Sequence, residues 1–220
     1  MAEARHRVIA IDGPAASGKS SVARELARRL GFGYLNSGAL YRAVTWYLLR
    51  RGVDPFDREA IVQTIGSARV DCRIEANESR VRIDDVDLTD HLRDDRVNRA
   101  VSPVSTVPEV RRIATERMRH CARERSLVVE GRDIGSVVFP DTPYKFYIDA
   151  SPEVRSRRRA AEGFRDEIAA RDRVDSSRPT SPLVVADDAD VIDTSNLTID
   201  EVVDRILQQL HKEEFPIRPE

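Results

Sequence analysis

The residues with the clearest capacity for chemistry lie near the start of the 220-residue chain. Gly13-Pro14-Ala15-Ala16-Ser17-Gly18-Lys19-Ser20 has the spacing G-x-x-x-x-G-K-[ST]. Each residue type has a physical task. Gly13 and Gly18 permit backbone geometry that a side chain would block. The loop can then turn its N–H groups toward phosphate oxygens, and the helix that follows aims its positive end at the same place. Lys19 adds a point charge toward the β- and γ-phosphates. Ser20 offers a hydroxyl to Mg²⁺, and Ser21 beside it is counted with residues 13–20 as binding the triphosphate. Taken alone, the motif says that the phosphates of a nucleoside triphosphate bind here.

A second, arginine-rich set is spread along the chain. Ser37-Gly38-Ala39-Leu40-Tyr41-Arg42 comes soon after the first helix, and Glu130-Gly131-Arg132-Asp133 follows an apolar run. Arg155, Arg157, Arg158 and Arg159 crowd one helix, and Arg171, Asp175 and Arg178 come later. Taken singly, each of Arg157 to Arg159 reads as a solvated helix-face residue, and Asp133 and Asp175 could pair with neighbouring arginines. As a set they suit a site holding two phosphate-bearing molecules, because guanidinium forks match phosphate oxygens at any working pH. Phosphoryl transfer asks mainly for positioning and charge neutralisation. Glu130, at a strand end, reads as a metal-facing carboxylate acting through water.

The elements that must position these groups alternate. Val8-Ile9-Ala10-Ile11 reads as a strand, and Asp12-Gly13-Pro14 as a turn. Val22, Leu26 and Leu30 give the following helix its apolar face, and Gly31 its end. Val70, Cys72 and Ile74, then Val81 and Ile83, alternate with charged residues as a half-exposed hairpin does. Pro108 stands near the start of a helix carrying Val110, Ile113, Ala114 and Met118. Leu127-Val128-Val129, Phe146-Tyr147-Ile148 and Val191-Ile192 read as strands. Ser151-Pro152 opens one helix, and a Thr198/Glu201 capping box opens the last. Residues 155–178 read as a charged flap, and the tail after Leu210 as frayed. The expected fold is α/β, with a mainly parallel sheet covered by helices on both faces. Ligands on such sheets sit beyond the carboxyl ends of the strands.

Composition removes several classes. The net charge is −2 with 34% charged residues, which does not favour nucleic acid. No run approaches the roughly 18 apolar residues that cross a bilayer, and the polar N-terminus does not read as a signal peptide. Cys72 and Cys121 form no disulfide or zinc pattern. A cytoplasmic protein is the expectation. A regulatory GTPase would carry Asp-x-x-Gly and Asn-Lys-x-Asp, and neither string occurs. Only three of the 36 basic residues are lysines (Lys19, Lys145, Lys212), so each is of interest. What remains is a small kinase. The alternatives are a kinase for another small metabolite and, outside enzymes, a nucleotide-binding regulator.

Together these motifs resemble the bacterial cytidylate kinases, nearly end to end. The specific pieces are Ser37-Gly38-Ala39-Leu40-Tyr41-Arg42, Glu130-Gly131-Arg132-Asp133-Ile134-Gly135 with Val137-Val138-Phe139-Pro140, and Arg171-Asp172 with Asp175 and Arg178. The resemblance implies a phosphate-loop core (1–36, 101–150 and 179–220), a monophosphate-binding insertion (37–100) and a lid (151–178). It implies transfer of the γ-phosphate of ATP to CMP or dCMP with Mg²⁺. A small lid-bearing kinase is expected to be a monomer, although nothing in the residues excludes a dimer. The resemblance also implies that Ser37, Arg42, Ser102, Arg111 and Arg132 hold the acceptor monophosphate, and that Tyr41 lines its site. Asp133, Arg171, Asp175 and Arg178 would contact its sugar, base or phosphate. Lys19, Arg132, Asp133 and Arg158 would serve catalysis, with Arg158 near the transferred phosphoryl group. Two departures stand out. Asn36 occupies a position where the family often has Asp, and the lid is short.

Overall fold

The fold is taken from a computed structural model that describes residues 6–92, 94–161, 172, 176–177 and 182–215. Arg171, Asp175 and Arg178 lie outside the described residues, as does most of the expected flap. Strand β1 (Val8–Asp12) leads into helix α1 (Lys19–Leu30), then β2 (Gly33–Asn36) and α2 (Ser37–Arg50). Helix α3 (Arg58–Gly66) precedes β3 (Val70–Glu75), β4 (Glu78–Ile83) and the two-residue β5 (Val86–Asp87). Next come α4 (Asp95–Ser105), α5 (Pro108–Glu124), β6 (Leu127–Gly131), a π-helical turn (Ile134–Val138) and β7 (Lys145–Asp149). The last elements are α6 (Pro152–Ala161), β8 (Asp190–Asp193) and α7 (Ile199–Lys212).

The strands form one sheet in the order β3-β4-β2-β6-β1-β7-β8, with β5 on β4. From β4 to β8 every pairing is parallel. Side chains alternate between the two faces, as the strand period of two requires. Ile9, Ile11, Val128, Phe146 and Ile148 pack beneath α1 and α7. Ala10, Leu35, Leu127 and Val129 pack beneath α2, α4 and α5. The expected hairpin is present as β3 and β4, antiparallel with Cys72 opposite Val81. Its Ala76-Asn77 turn has φ of 47° and 65°, the left-handed pair that a tight two-residue hairpin needs. A single bridge, Tyr34 to Glu78, joins this hairpin to β2.

The local signals hold. Gly31 ends α1 in the left-handed conformation, Pro108 opens α5, and the Thr198/Glu201 capping box is complete. The tail differs from expectation. Helix α7 runs to Lys212, and Phe215 beyond it is buried between Phe32 and Tyr144, with ring centroids 5.9 and 4.6 Å away. An aromatic side chain buries enough apolar area to hold a short terminal segment down. Lys145 is structural: its buried Nζ bonds Pro140 O at 2.7 Å and both oxygens of Asp188. No helix among the described residues is long and apolar enough to cross a membrane.

Candidate active site

The phosphate loop occupies residues 13–20, between the end of β1 and the start of α1. Gly13 has φ of +151°, and a Cβ there would lie 2.1 Å from the Ile148 carbonyl oxygen, so only glycine fits against β7. Gly18 sits at φ +92° as the residue capping α1. Lys19 is buried and its Nζ donates to Pro14 O at 3.0 Å, folding the side chain back over the loop. Ser20 Oγ donates to Glu130 Oε1 at 2.7 Å. Ser21 follows on α1 and is exposed.

A second helix N-terminus faces the same space. Asn36 caps α2, its Oδ1 accepting from Ala39 N at 3.1 Å. Ser37 and Gly38 form the first turn, and Arg42 projects from the next. The positive ends of α1 and α2 therefore converge on one cleft. Lys19, Ser20, Ser37, Tyr41, Arg42, Ser102, Glu130, Arg132 and Asp133 all line it, and Asn36 and Ser105 do so too. Burial holds the Arg42 guanidinium below its usual pKa; Glu130 opposes the shift, and the charges of Arg132 and Arg159 add to it. Like charges gathered in a half-enclosed cleft are what an anion would relieve.

Behind Tyr41 lies a buried ion pair. Arg111 Nη2 bonds Asp133 Oδ2, with only 7% and 5% of the two side chains exposed. Arg111 Nη1 also donates to Ser105 O at 3.1 Å, and the guanidinium lies 5.4 Å from the Tyr41 ring centre. Arg111 Nε has no partner among the described residues. So Asp133 pairs with an arginine 22 residues away, not with its neighbour Arg132. On the other flank, Arg158 of α6 donates to Ser17 O at 3.0 Å and to Thr194 O at 2.9 Å. The solvated helix-face expectation thus fails for Arg158, which braces the phosphate loop, and holds for exposed Arg157.

Tyr34 has no signal in the sequence, and Asp12 reads there only as an acidic residue at a strand end. Tyr34 of β2 is buried, and its hydroxyl lies 3.1 Å from Glu130 Oε1; burial and the Glu130 charge push its pKa up. Asp12, the last residue of β1, accepts from Ile134 N at 2.8 Å and Gly135 N at 2.7 Å. It thereby ties the strand that feeds the phosphate loop to the segment carrying Arg132 and Asp133. Its acidic position at a strand end was the one signal.

Burial raises the Asp12 carboxyl to about 6, although two backbone N–H groups and Arg132 favour the charged form and Asp133 opposes it. The folded chain then holds this proton more tightly than the unfolded chain does. The stability it contributes is full below about pH 4 and lost as pH rises through about 6. Urea unfolding of wild type and Asp12→Asn between pH 4 and 7 should show wild type losing ground to the variant as pH rises. The expected change is up to about 3 kcal/mol across that window. A constant difference would mean that Asp12 titrates as it does in the unfolded chain.

Oxygen donors dominate the metal-competent part of the cleft. Ser20 hydroxyl and Glu130 carboxylate are hard ligands held together. Among the described residues no group of three or more His, Cys, Asp or Glu could cage an ion unaided. This donor set fits Mg²⁺, which usually takes one or two protein oxygens and completes its shell with phosphate and water.

Comparison with known proteins agrees with this site. The family model described as cytidylate kinase matches residues 9–212. A cytidylate kinase of Rhodococcus opacus is 45% identical over 212 residues, covering 91% of this chain and 93% of that one. One from Streptomyces avermitilis is 41% identical over 209 residues, covering 91% and 90%. The crystal structure of TT1252 from Thermus thermophilus shares the fold, with a TM-score of 0.50 at 23% identity over 95% of this chain and 98% of that one. With a match that spans the phosphate loop, the arginine-lined cleft and the final helix, the chain belongs to the cytidylate kinase family.

Proposed function

We propose that this chain is an ATP-dependent kinase that transfers the γ-phosphate of ATP to the phosphate of CMP or dCMP. The observation that carries this is one shared cleft: Lys19 and Ser20 of the phosphate loop line the same space as Arg42, Arg132 and Asp133. ATP enters with its phosphates against residues 13–21. The acceptor enters from the α2 side, its phosphate against Ser37, Arg42 and Arg132.

No general base is required. The acceptor phosphate is already an anion, so its oxygen attacks in line without giving a proton to the protein. The chain's residues hold the two phosphates together and spread the developing charge. Lys19 and Arg158 act on the donor side and Arg42 and Arg132 on the acceptor side. Ser20 and Glu130 would hold Mg²⁺, Glu130 through water, and the bound ion would neutralise negative charge on the triphosphate. Asp133, fixed by Arg111, offers a carboxylate to the 4-amino group of cytosine, with Ser102 beside it. Residues 37–100 serve as the acceptor-binding insertion and 151–178 as the lid, with Arg171, Asp175 and Arg178 on the acceptor. The remaining segments form the core of a cytoplasmic monomer.

The test is ADP release from Mg-ATP without acceptor, then with CMP, dCMP, UMP, AMP or shikimate. Release should rise strongly with CMP and dCMP and much less with the others. A flat response would leave the phosphate loop standing and remove the acceptor assignment.

A further inference from the structure

We propose that Tyr34 is a positioning residue for Glu130, a role that rests on Glu130 facing the metal ion as set out above. Tyr34 lies outside the motifs that identify the phosphate and acceptor sites, and Asn36 stands beside one of them only as a departure from the family pattern. They are nevertheless linked to the centre of the cleft by a chain of hydrogen bonds whose direction can be worked out.

The direction begins at Asn36. Its Oδ1 accepts from Ala39 N at 3.1 Å as the cap of α2. The other end of the amide, Nδ2, therefore faces Tyr34 Oη, at 3.3 Å. An amide nitrogen only donates, so the phenol oxygen receives that bond and cannot send its proton back. The single Tyr34 proton goes to Glu130 Oε1 at 3.1 Å. Ser20 Oγ donates to the same oxygen at 2.7 Å. Two donors on Oε1 fix the carboxylate plane, and neither falls on Oε2.

The ring that delivers this proton has little freedom. Tyr34 is 2% exposed, and its backbone N bonds Asn77 O at 2.8 Å. The Arg24 guanidinium covers the ring at 4.7 Å and is itself held by Glu78 Oε1 at 2.7 Å. Both donors to Glu130 are neutral, so they orient the carboxylate without cancelling its charge. A cation in the same place would orient it and also weaken its attraction for a divalent ion. Groups that orient a ligand in this way typically change metal affinity or activity by about 10- to 100-fold when removed.

Tyr34→Phe removes the hydroxyl and keeps the ring and its Arg24 stack. The experiment measures binding of a non-hydrolysable ATP analogue with and without Mg²⁺, by calorimetry, in wild type, Tyr34→Phe and Glu130→Gln. Mg²⁺ binding to the analogue in solution is common to all three and cancels from the comparison. The expected result is that the Mg²⁺-dependent gain in affinity falls about 10-fold in Tyr34→Phe. Metal-free analogue binding and CMP binding should be unchanged. If Glu130→Gln loses the gain and Tyr34→Phe keeps it, Tyr34 has no positioning role while Glu130 still faces the ion. If neither variant loses it, the assignment of Glu130 falls, and the role of Tyr34 with it. An equal loss with and without Mg²⁺ in Tyr34→Phe would make the hydroxyl a packing feature and overturn the proposal.

Discussion

Lys19→Ala should lower turnover with CMP by about 10³-fold or more while the protein remains folded. The ammonium is the one lysine charge in the cleft, and its Nζ rests on Pro14 O at 3.0 Å, inside the loop that curls around the phosphates. In a site walled off from bulk water a charge aimed at the transferring group is worth several kcal/mol, since screening there is weak. The structural cost is smaller. Truncation takes this donor from the Pro14 carbonyl, roughly 1–3 kcal/mol, and also removes a buried charge. Circular dichroism and melting would report a near-native fold beside the lost rate. Turnover within tenfold of wild type would take Lys19 out of phosphoryl transfer.

What could be read from the chain, and what could not, follows from how far apart the determining contacts lie. The phosphate loop is local: strand, glycine turn and amphipathic helix fall within residues 8–30, and each has a signal of its own. The capping box at Thr198 and Glu201 and the glycine end of α1 are local in the same way. Strand β2 left no such mark. Gly33-Tyr34-Leu35-Asn36 is four residues without alternation, and it is a strand because β6 pairs along its whole length. Phe215 reads in sequence as part of a frayed tail because its partners, Phe32 and Tyr144, are remote along the chain.

The same holds within the cleft. The residue types needed for an anion site were visible as motifs, but their pairings were not. Asp12 reaches the amides of Ile134 and Gly135, 122 and 123 residues on. Arg111 of α5 reaches Asp133 in the segment that follows β6. Cys72 and Cys121, featureless in sequence, meet in the core, where Cys121 Sγ donates to Cys72 O at 3.2 Å and both remain free. Tyr34 carries no motif at all, and its link to Glu130 exists only because β2 and β6 are neighbours.

The buried pair leads to the second large effect. Asp133→Asn should reduce kcat/KM for CMP by about 10- to 100-fold and lower the preference for CMP over UMP by a similar factor. Cytosine presents an amino donor at position 4, where uracil presents a carbonyl acceptor. A carboxylate accepts from the first and repels the second. Arg111 fixes it in place, and the pair lies behind Tyr41 with little access for water. An asparagine amide can turn either its oxygen or its nitrogen to the base, so it discriminates poorly. The substitution also leaves the Arg111 charge without its partner in a buried place, so about 3–5 kcal/mol of stability is at risk. A melting temperature alone would therefore say nothing about recognition. The CMP-to-UMP ratio, measured below the variant's melting temperature, is the informative quantity, because loss of folded protein scales both rates equally. A fallen rate with an unchanged ratio would confine Asp133 to holding Arg111 and move base selection to other residues of the cleft.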